Sequence, residues 1–157
     1  MAVFALMRHG RAVSRDVAGG DEERWLLPEA RVEVELVARV LPFKPSRVYS
    51  SPLRRARETA EIVAGVWGSR VEVVEWLAPG RLSCLELRGV ELDEVVLVGH
   101  NPDLEELLAC LTGGRVRLRP GGLAVVEAVE PLESTGTLLE LVQPETLRRL
   151  VGGGRQA

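Results

Sequence analysis

The chain has 157 residues, 46% of them hydrophobic, which suits one globular domain with a buried core and excludes a disordered segment. A formal net charge of −3 leaves no basic footprint for nucleic acid. No apolar run reaches membrane-spanning length, and the start lacks the basic segment and apolar core of a signal peptide, so the expected location is the cytoplasm. Cys84 and Cys110 are too few and too far apart to read as a disulfide framework or a zinc site.

The first element is the apolar run from Val3 to Met7, short enough for a buried strand. It stops abruptly at Arg8-His9-Gly10. In open α/β sheets ligands sit beyond the carboxyl ends of strands, so these residues stand where chemistry is done. Arginine offers a fork that matches phosphate oxygens, neutral imidazole is a nucleophile, and glycine lets the backbone approach a ligand closely. From Val13 to Arg24 the chain is polar and glycine-bearing and reads as a mobile loop.

Leu27-Pro28 opens a helix in which Ala30, Val34, Val37 and Leu41 recur at helical spacing, until Pro42 and Pro45 stop it. Arg47 to Ser50 is a short strand. Ser51 then reads as an N-cap and Pro52 as a first-position proline for a helix running to about Trp67. Arg54 and Arg55 fall in its first turn, where the helix dipole disfavours cations unless an anion neutralises them. Val71 to Val74 is the next strand and ends at Glu75, a carboxylate at a strand end. Leu82 to Leu87 reads as a short helix.

Glu94 to Gly99 is the clearest buried strand. His100 follows, then Asn101-Pro102, read as the cap and first residue of a helix with Leu104, Leu107, Leu108 and Leu111 on its apolar face. Residues 123–129 and 137–142 read as an antiparallel hairpin, and residues 144–150 as a last turn of helix. The domain is expected over residues 1–151, with residues 152–157 a flexible tail. The pattern predicts an α/β fold of three layers, with a mostly parallel central sheet between helices and an antiparallel edge strand from the hairpin.

Both histidines of the chain thus lie between a strand's carboxyl end and a helix's amino end. In a parallel sheet such junctions meet on one edge, which would gather Arg8, His9, Arg55 and His100. A metal site is disfavoured, because the arginines repel a cation and no ligand spacing supports one. A phosphate pocket fits the charges.

Arg8-His9-Gly10, then Ser51-Pro52-Leu53-Arg54-Arg55-Ala56-Arg57-Glu58-Thr59-Ala60, then Gly99-His100-Asn101-Pro102 resembles the histidine phosphatase (phosphoglycerate mutase-like) superfamily in order and spacing. The resemblance spans essentially the whole chain. It is greatest with the small SixA-type phosphohistidine phosphatases. It implies His9 as the nucleophile, Arg8, Arg55 and His100 as holders of the phosphoryl oxygens, and Glu75 as a general acid. Gly10 and Asn101 would line the substrate site, and no cofactor or metal would be needed. One departure is Arg24-Trp25-Leu26-Leu27-Pro28-Glu29-Ala30, which lacks the threonine and glycine of the segment that often stands there. With short loops over the pocket, the implied substrate is phosphohistidine on a partner protein. Alternatives are a small phosphorylated metabolite and, less favoured, a binding module without turnover. Inorganic phosphate or sulfate should occupy the pocket, and nucleic acid and membrane are not expected partners. Specificity would come from Arg11, Arg15, Arg54 and Arg24 at the rim.

Overall fold

A computed structural model describes residues 1–130 and 132–152. The chain forms β1 (Ala2–Arg8), α1 (Arg15–Ala18), α2 (Pro28–Arg39), β2 (Arg47–Ser50), α3 (Arg54–Trp67), β3 (Val71–Val73), β4 (Val95–Gly99), α4 (Asp103–Thr112), β5 (Leu123–Ala128), β6 (Thr137–Val142) and α5 (Pro144–Val151). Short 3-10 turns at Glu75–Leu77 and Leu85–Leu87 lie between β3 and β4. Except for Gly152, the expected tail lies outside the described residues.

The six strands form one sheet in the order β3-β2-β4-β1-β5-β6. β1, β2, β3 and β4 pair in parallel, and β5 runs antiparallel to β1. The fold is therefore the mostly parallel α/β sheet that the sequence pattern predicts, phosphoglycerate mutase-like in architecture. The hairpin supplies the antiparallel edge: β6 forms the edge and pairs antiparallel to β5, and β5 lies inside it against β1. The reason is visible in β1, whose residues Phe4 to Met7 are fully buried and need a hydrogen-bonded partner on each side.

Because β1 is buried on both faces, its apolar residues run without alternation. Phe4 and Leu6 face one layer, where α4 supplies Leu104, Leu107, Leu108 and Leu111. Ala5 and Met7 face the other, where α2 supplies Val34 and Val37 and α3 supplies Ala56, Ala60 and Val63. The register then fixes the site. Arg8 lies opposite Gly99, and Ser50 lies opposite Val98, so β1, β4 and β2 end at the same height. Residues 9, 100 and 51 leave the sheet side by side.

Three local readings are corrected by the structure. α3 begins at Arg54 with Leu53 in the cap position, so Ser51 is free for another role. α4 begins at Asp103, and the Asn101 side chain turns away from the helix to Glu105 and the Leu118 carbonyl instead of capping it. The two cysteines, separated by 26 residues, are paired as a disulfide. Cys84, at the cap of the Leu85–Leu87 turn, packs on the same sheet face as α4, which carries Cys110, and this brings their Cα atoms to 6.7 Å.

Candidate active site

His9 is half-buried just past the end of β1, and its ring lies 5.1 Å from that of His100. Its Nδ1 is 2.8 Å from the Gly10 carbonyl oxygen, which can only accept, so Nδ1 carries the proton. That leaves the Nε2 lone pair outside the ring's own anchoring bond. Arg55 Nε donates to Nε2 at 3.3 Å. Burial pushes the His9 pKa down to about 3, assisted by His100, Arg55 and Arg8 and opposed by the Gly10 hydrogen bond. His100, 4% exposed, is likewise pushed down to about 4 by burial and by the Arg55 and Arg8 charges, with Asp21 opposing. Both imidazoles are therefore neutral at pH 7.

His100 is oriented by Ser51, whose Oγ lies 2.7 Å from Nε2 and also accepts from the Leu53 N–H. Arg8 is anchored by Nη1 donating to the Leu118 carbonyl at 3.1 Å, while its buried Nε has no protein partner among the described residues. Arg55 is buried at the first turn of α3. Its Nη1 donates to the Asp21 carbonyl at 2.8 Å and its Nη2 to Asp21 Oδ2 at 3.3 Å. Burial pushes the Asp21 carboxyl up, but the Arg55, Arg24 and Arg15 guanidiniums win and hold it below the usual carboxylate range.

The glycine after His9 serves packing. A Cβ at Gly10 would lie 3.1 Å from Val34 Cγ2 and 3.3 Å from Leu26 Cδ2, so Gly10 lets β1 run close against α2. Its N–H donates to Thr59 Oγ1, which in turn donates to the Arg55 carbonyl, tying β1 to α3. On the other side Gly121, at φ 81, bends the chain so that its N–H reaches both the Arg8 and His9 carbonyls.

Of the residues singled out in the sequence, Arg8, His9, Arg55 and His100 meet at the carboxyl edge of the sheet. Asn101 joins them indirectly: its Nδ2 donates to the Leu118 carbonyl that also anchors Arg8. Glu75 is exposed and lines a cleft of about 400 Å³ with Asp21, Glu22 and Leu53, and it makes no hydrogen bond to either histidine among the described residues. The rim arginines are engaged elsewhere. Arg11 pairs with Glu33, Arg54 with Glu58, and Arg15 and Arg24 with Asp21. Sequence reasoning missed Asp21, which it treated as part of a solvated loop, and the hydroxyls of Ser51 and Thr59. The arginine at the head of α3 was the signal that a carboxylate belonged nearby.

This sheet edge, with two histidines and two arginines gathered on it, is that of a phosphate-handling enzyme, and the chain belongs to the histidine phosphatase superfamily (branch 1), whose model matches residues 4–86. It is 35% identical over 130 residues to an uncharacterized protein of Picosynechococcus sp., covering 74% of this chain and 79% of that one. Among solved structures it is similar to the protein histidine phosphatase SixA complexed with tungstate, at 26% identity and a TM-score of 0.81, covering 92% of this chain and 99% of that one. It also shares its fold with a phosphoserine phosphatase from Entamoeba histolytica in complex with 3-phosphoglyceric acid, at 16% identity and a TM-score of 0.65, over 90% of this chain and 96% of that one.

Proposed function

We propose that this chain is a phosphohistidine phosphatase, which takes a phosphoryl group from histidine on a partner protein onto His9 Nε2 and passes it to water. The observation that carries this reading is the fixed tautomer of His9, with Nδ1–H bound to the Gly10 carbonyl and Nε2 facing the Arg55 guanidinium. In the first step the bond from phosphorus to the substrate's imidazole nitrogen breaks as the bond to Nε2 forms. The leaving imidazole takes up any proton it needs from an acid at the cleft wall, where Glu75 is the proposed donor. In the second step a water oxygen bonds to phosphorus, the Nε2–phosphorus bond breaks, and His9 returns to its starting tautomer as phosphate leaves.

Phosphoryl transfer needs in-line placement and charge stabilisation above all. Arg8 and Arg55 supply two guanidiniums whose protein partners include backbone carbonyls, and His100 supplies an imidazole held by Ser51. Donors placed in advance act on the transition state without reorganisation, so metal-independent chemistry is proposed. A protein substrate is favoured over a metabolite by the shortness of the two segments beyond this sheet edge, residues 9–27 and 74–94, each built of turns and single helical turns. The likeness to SixA across nearly the whole chain supports the same choice.

The test compares initial rates on a histidine-phosphorylated carrier protein with rates on a panel of phosphorylated sugars, nucleotides and amino acids. Quenched enzyme should carry acid-labile, base-stable phosphate, and His9→Ala should abolish it. Much faster hydrolysis of one small phosphate would replace the protein substrate with that metabolite. Phosphate trapped on His100 would reverse the assignment of roles.

A further inference from the structure

A further run of positive charge lies on a segment outside the expected rim arginines. Between α4 and β5 the sequence reads Arg115-Val116-Arg117-Leu118-Arg119. Burial alternates along it: the three arginines are exposed, Val116 is half-buried against the α4 layer, and Leu118 is fully buried. That is the pattern of an extended segment, so the three arginines leave the backbone on one side, with Cα atoms roughly 7 Å apart. None of them is in an ion pair among the described residues, in contrast to Arg11, Arg15, Arg24, Arg31 and Arg54.

The segment is fastened at its backbone. Leu118 N–H donates to Glu105 at 2.7 Å, and the Gln143 carboxamide accepts from Arg119 N–H at 3.1 Å and donates to the Arg117 carbonyl at 2.7 Å. It is also continuous with the site, because the Leu118 carbonyl anchors Arg8 and the turn that follows puts Gly121 on the Arg8 and His9 carbonyls. A cleft of about 470 Å³ separates Arg115 and Arg117 from α4, with Glu106 and Ala109 on its far wall. Glu105 lines the same cleft, so the two carboxylates offset two of the three charges and leave the ridge with one positive charge in excess. Three like charges held in a row on a pinned backbone repel one another, and an anionic partner relieves that repulsion.

We propose that this arginine ridge docks an acidic surface of the phosphorylated protein, next to the histidine presented to His9. The proposal rests on the protein-substrate reading above. It names the partner's chemistry: carboxylates spaced along a surface beside the phosphohistidine. Such a contact acts on encounter and orientation, and it weakens with salt.

The experiment uses two histidine-phosphorylated carriers, one of acidic and one of basic net charge, with p-nitrophenyl phosphate as the small substrate. Wild type should dephosphorylate the acidic carrier faster, with kcat/KM falling steeply as salt rises. Arg115→Glu/Arg117→Glu should lower kcat/KM on the acidic carrier by about tenfold and flatten its salt dependence, with p-nitrophenyl phosphate turnover unchanged. Arg115→Lys/Arg117→Lys should restore both the rate and the salt dependence. Equal rates of wild type and the charge-reversed protein on the acidic carrier would overturn the docking role alone. So would equal slowing on the carrier and on p-nitrophenyl phosphate. Wild type that turns over neither carrier would remove the protein-substrate reading and the docking surface with it.

Discussion

Asp21→Asn isolates the carboxylate that shares Arg55 with an incoming phosphoryl group. In the structure Asp21 Oδ2 lies 3.3 Å from Arg55 Nη2, while the Asp21 carbonyl holds Nη1 at 2.8 Å. In the proposed reaction a phosphoryl group on His9 Nε2 takes the place of the Arg55 Nε contact and draws on the neighbouring guanidinium donors. Asparagine at position 21 keeps the backbone carbonyl, so the guanidinium stays anchored while one competing negative charge is removed. At 3.3 Å and an effective dielectric of 20 the bare attraction is about 5 kcal/mol. The Asp21 side chain is 37% exposed, however, and screening reduces such a pair to about 1 kcal/mol.

Competitive inhibition by tungstate or vanadate, measured against p-nitrophenyl phosphate at pH 7.5, should therefore tighten by about fivefold in Asp21→Asn. Inorganic phosphate should tighten by the same factor, since it meets the same guanidinium. Unchanged or weaker inhibition would refute the reasoning. It would mean that the carboxylate chiefly orients Arg55 and that the oxyanion never competes for Nη2.

Other perturbations read out other parts of the site. His9→Gln should abolish turnover with an unchanged circular dichroism spectrum, and it bears on acid stability as well. The folded pKa of His9 is lowered, so the unfolded chain binds the extra proton, and stability is fully present above about pH 6.5 and lost as pH falls toward about 3. Each tenfold loss of proton affinity is worth about 1.4 kcal/mol, so urea midpoints of wild type should fall more steeply over that window than those of His9→Gln. Ser51→Ala leaves His100 unoriented and the Leu53 N–H without its acceptor, and should cost about 1–2 kcal/mol of stability and about tenfold in kcat. Gly10→Ala places a methyl against Val34 and Leu26 and should lower stability by about 1–3 kcal/mol, seen as a drop in Tm.

The two central strands were legible because their centres are buried on both sides: Phe4 to Met7 and Val95 to Val98 are apolar on both faces, and no amphipathic alternative competes. The polar residues that end them were legible for the same reason, since a buried run has no other cause to stop at Arg8 or His100. What the sequence concealed depends on contacts between distant segments. Ser51 before proline satisfies the local rule for a helix cap, yet β2 and β4 end level, and His100 takes its hydroxyl. Asn101 followed the same rule and was diverted by Leu118, seventeen residues on. Cys84 and Cys110 looked unrelated because only the packing of Cys84 on α4's layer brings them together. The position of β5 inside the sheet follows from the needs of β1 and from no signal within the hairpin itself.

The way the two site arginines are held bears on how the pocket keeps its charge. A buried guanidinium must have its N–H groups satisfied, and a buried carboxylate would do this while cancelling the field. Here Arg8 Nη1 donates to the Leu118 carbonyl and Arg55 Nη1 to the Asp21 carbonyl, groups that accept hydrogen bonds without carrying a full charge. The one carboxylate on Arg55 belongs to a surface loop and is partly in water, where its neutralising effect is weakest. The histidines between the arginines are neutral chiefly because burial penalises their charged form, and the neighbouring cations add to that. A phosphoryl dianion entering this pocket meets the two guanidiniums, and its charge offsets the burial penalty and the Arg55 and Arg8 repulsion that together hold the His100 pKa down. Oxyanion binding should therefore be coupled to proton uptake by His100 just above its free-protein pKa of about 4. Titration calorimetry of tungstate at pH 5.5, in buffers of different ionisation enthalpy, measures that uptake directly. A heat independent of buffer would show that His100 stays neutral and that Arg8 and Arg55 alone balance the charge.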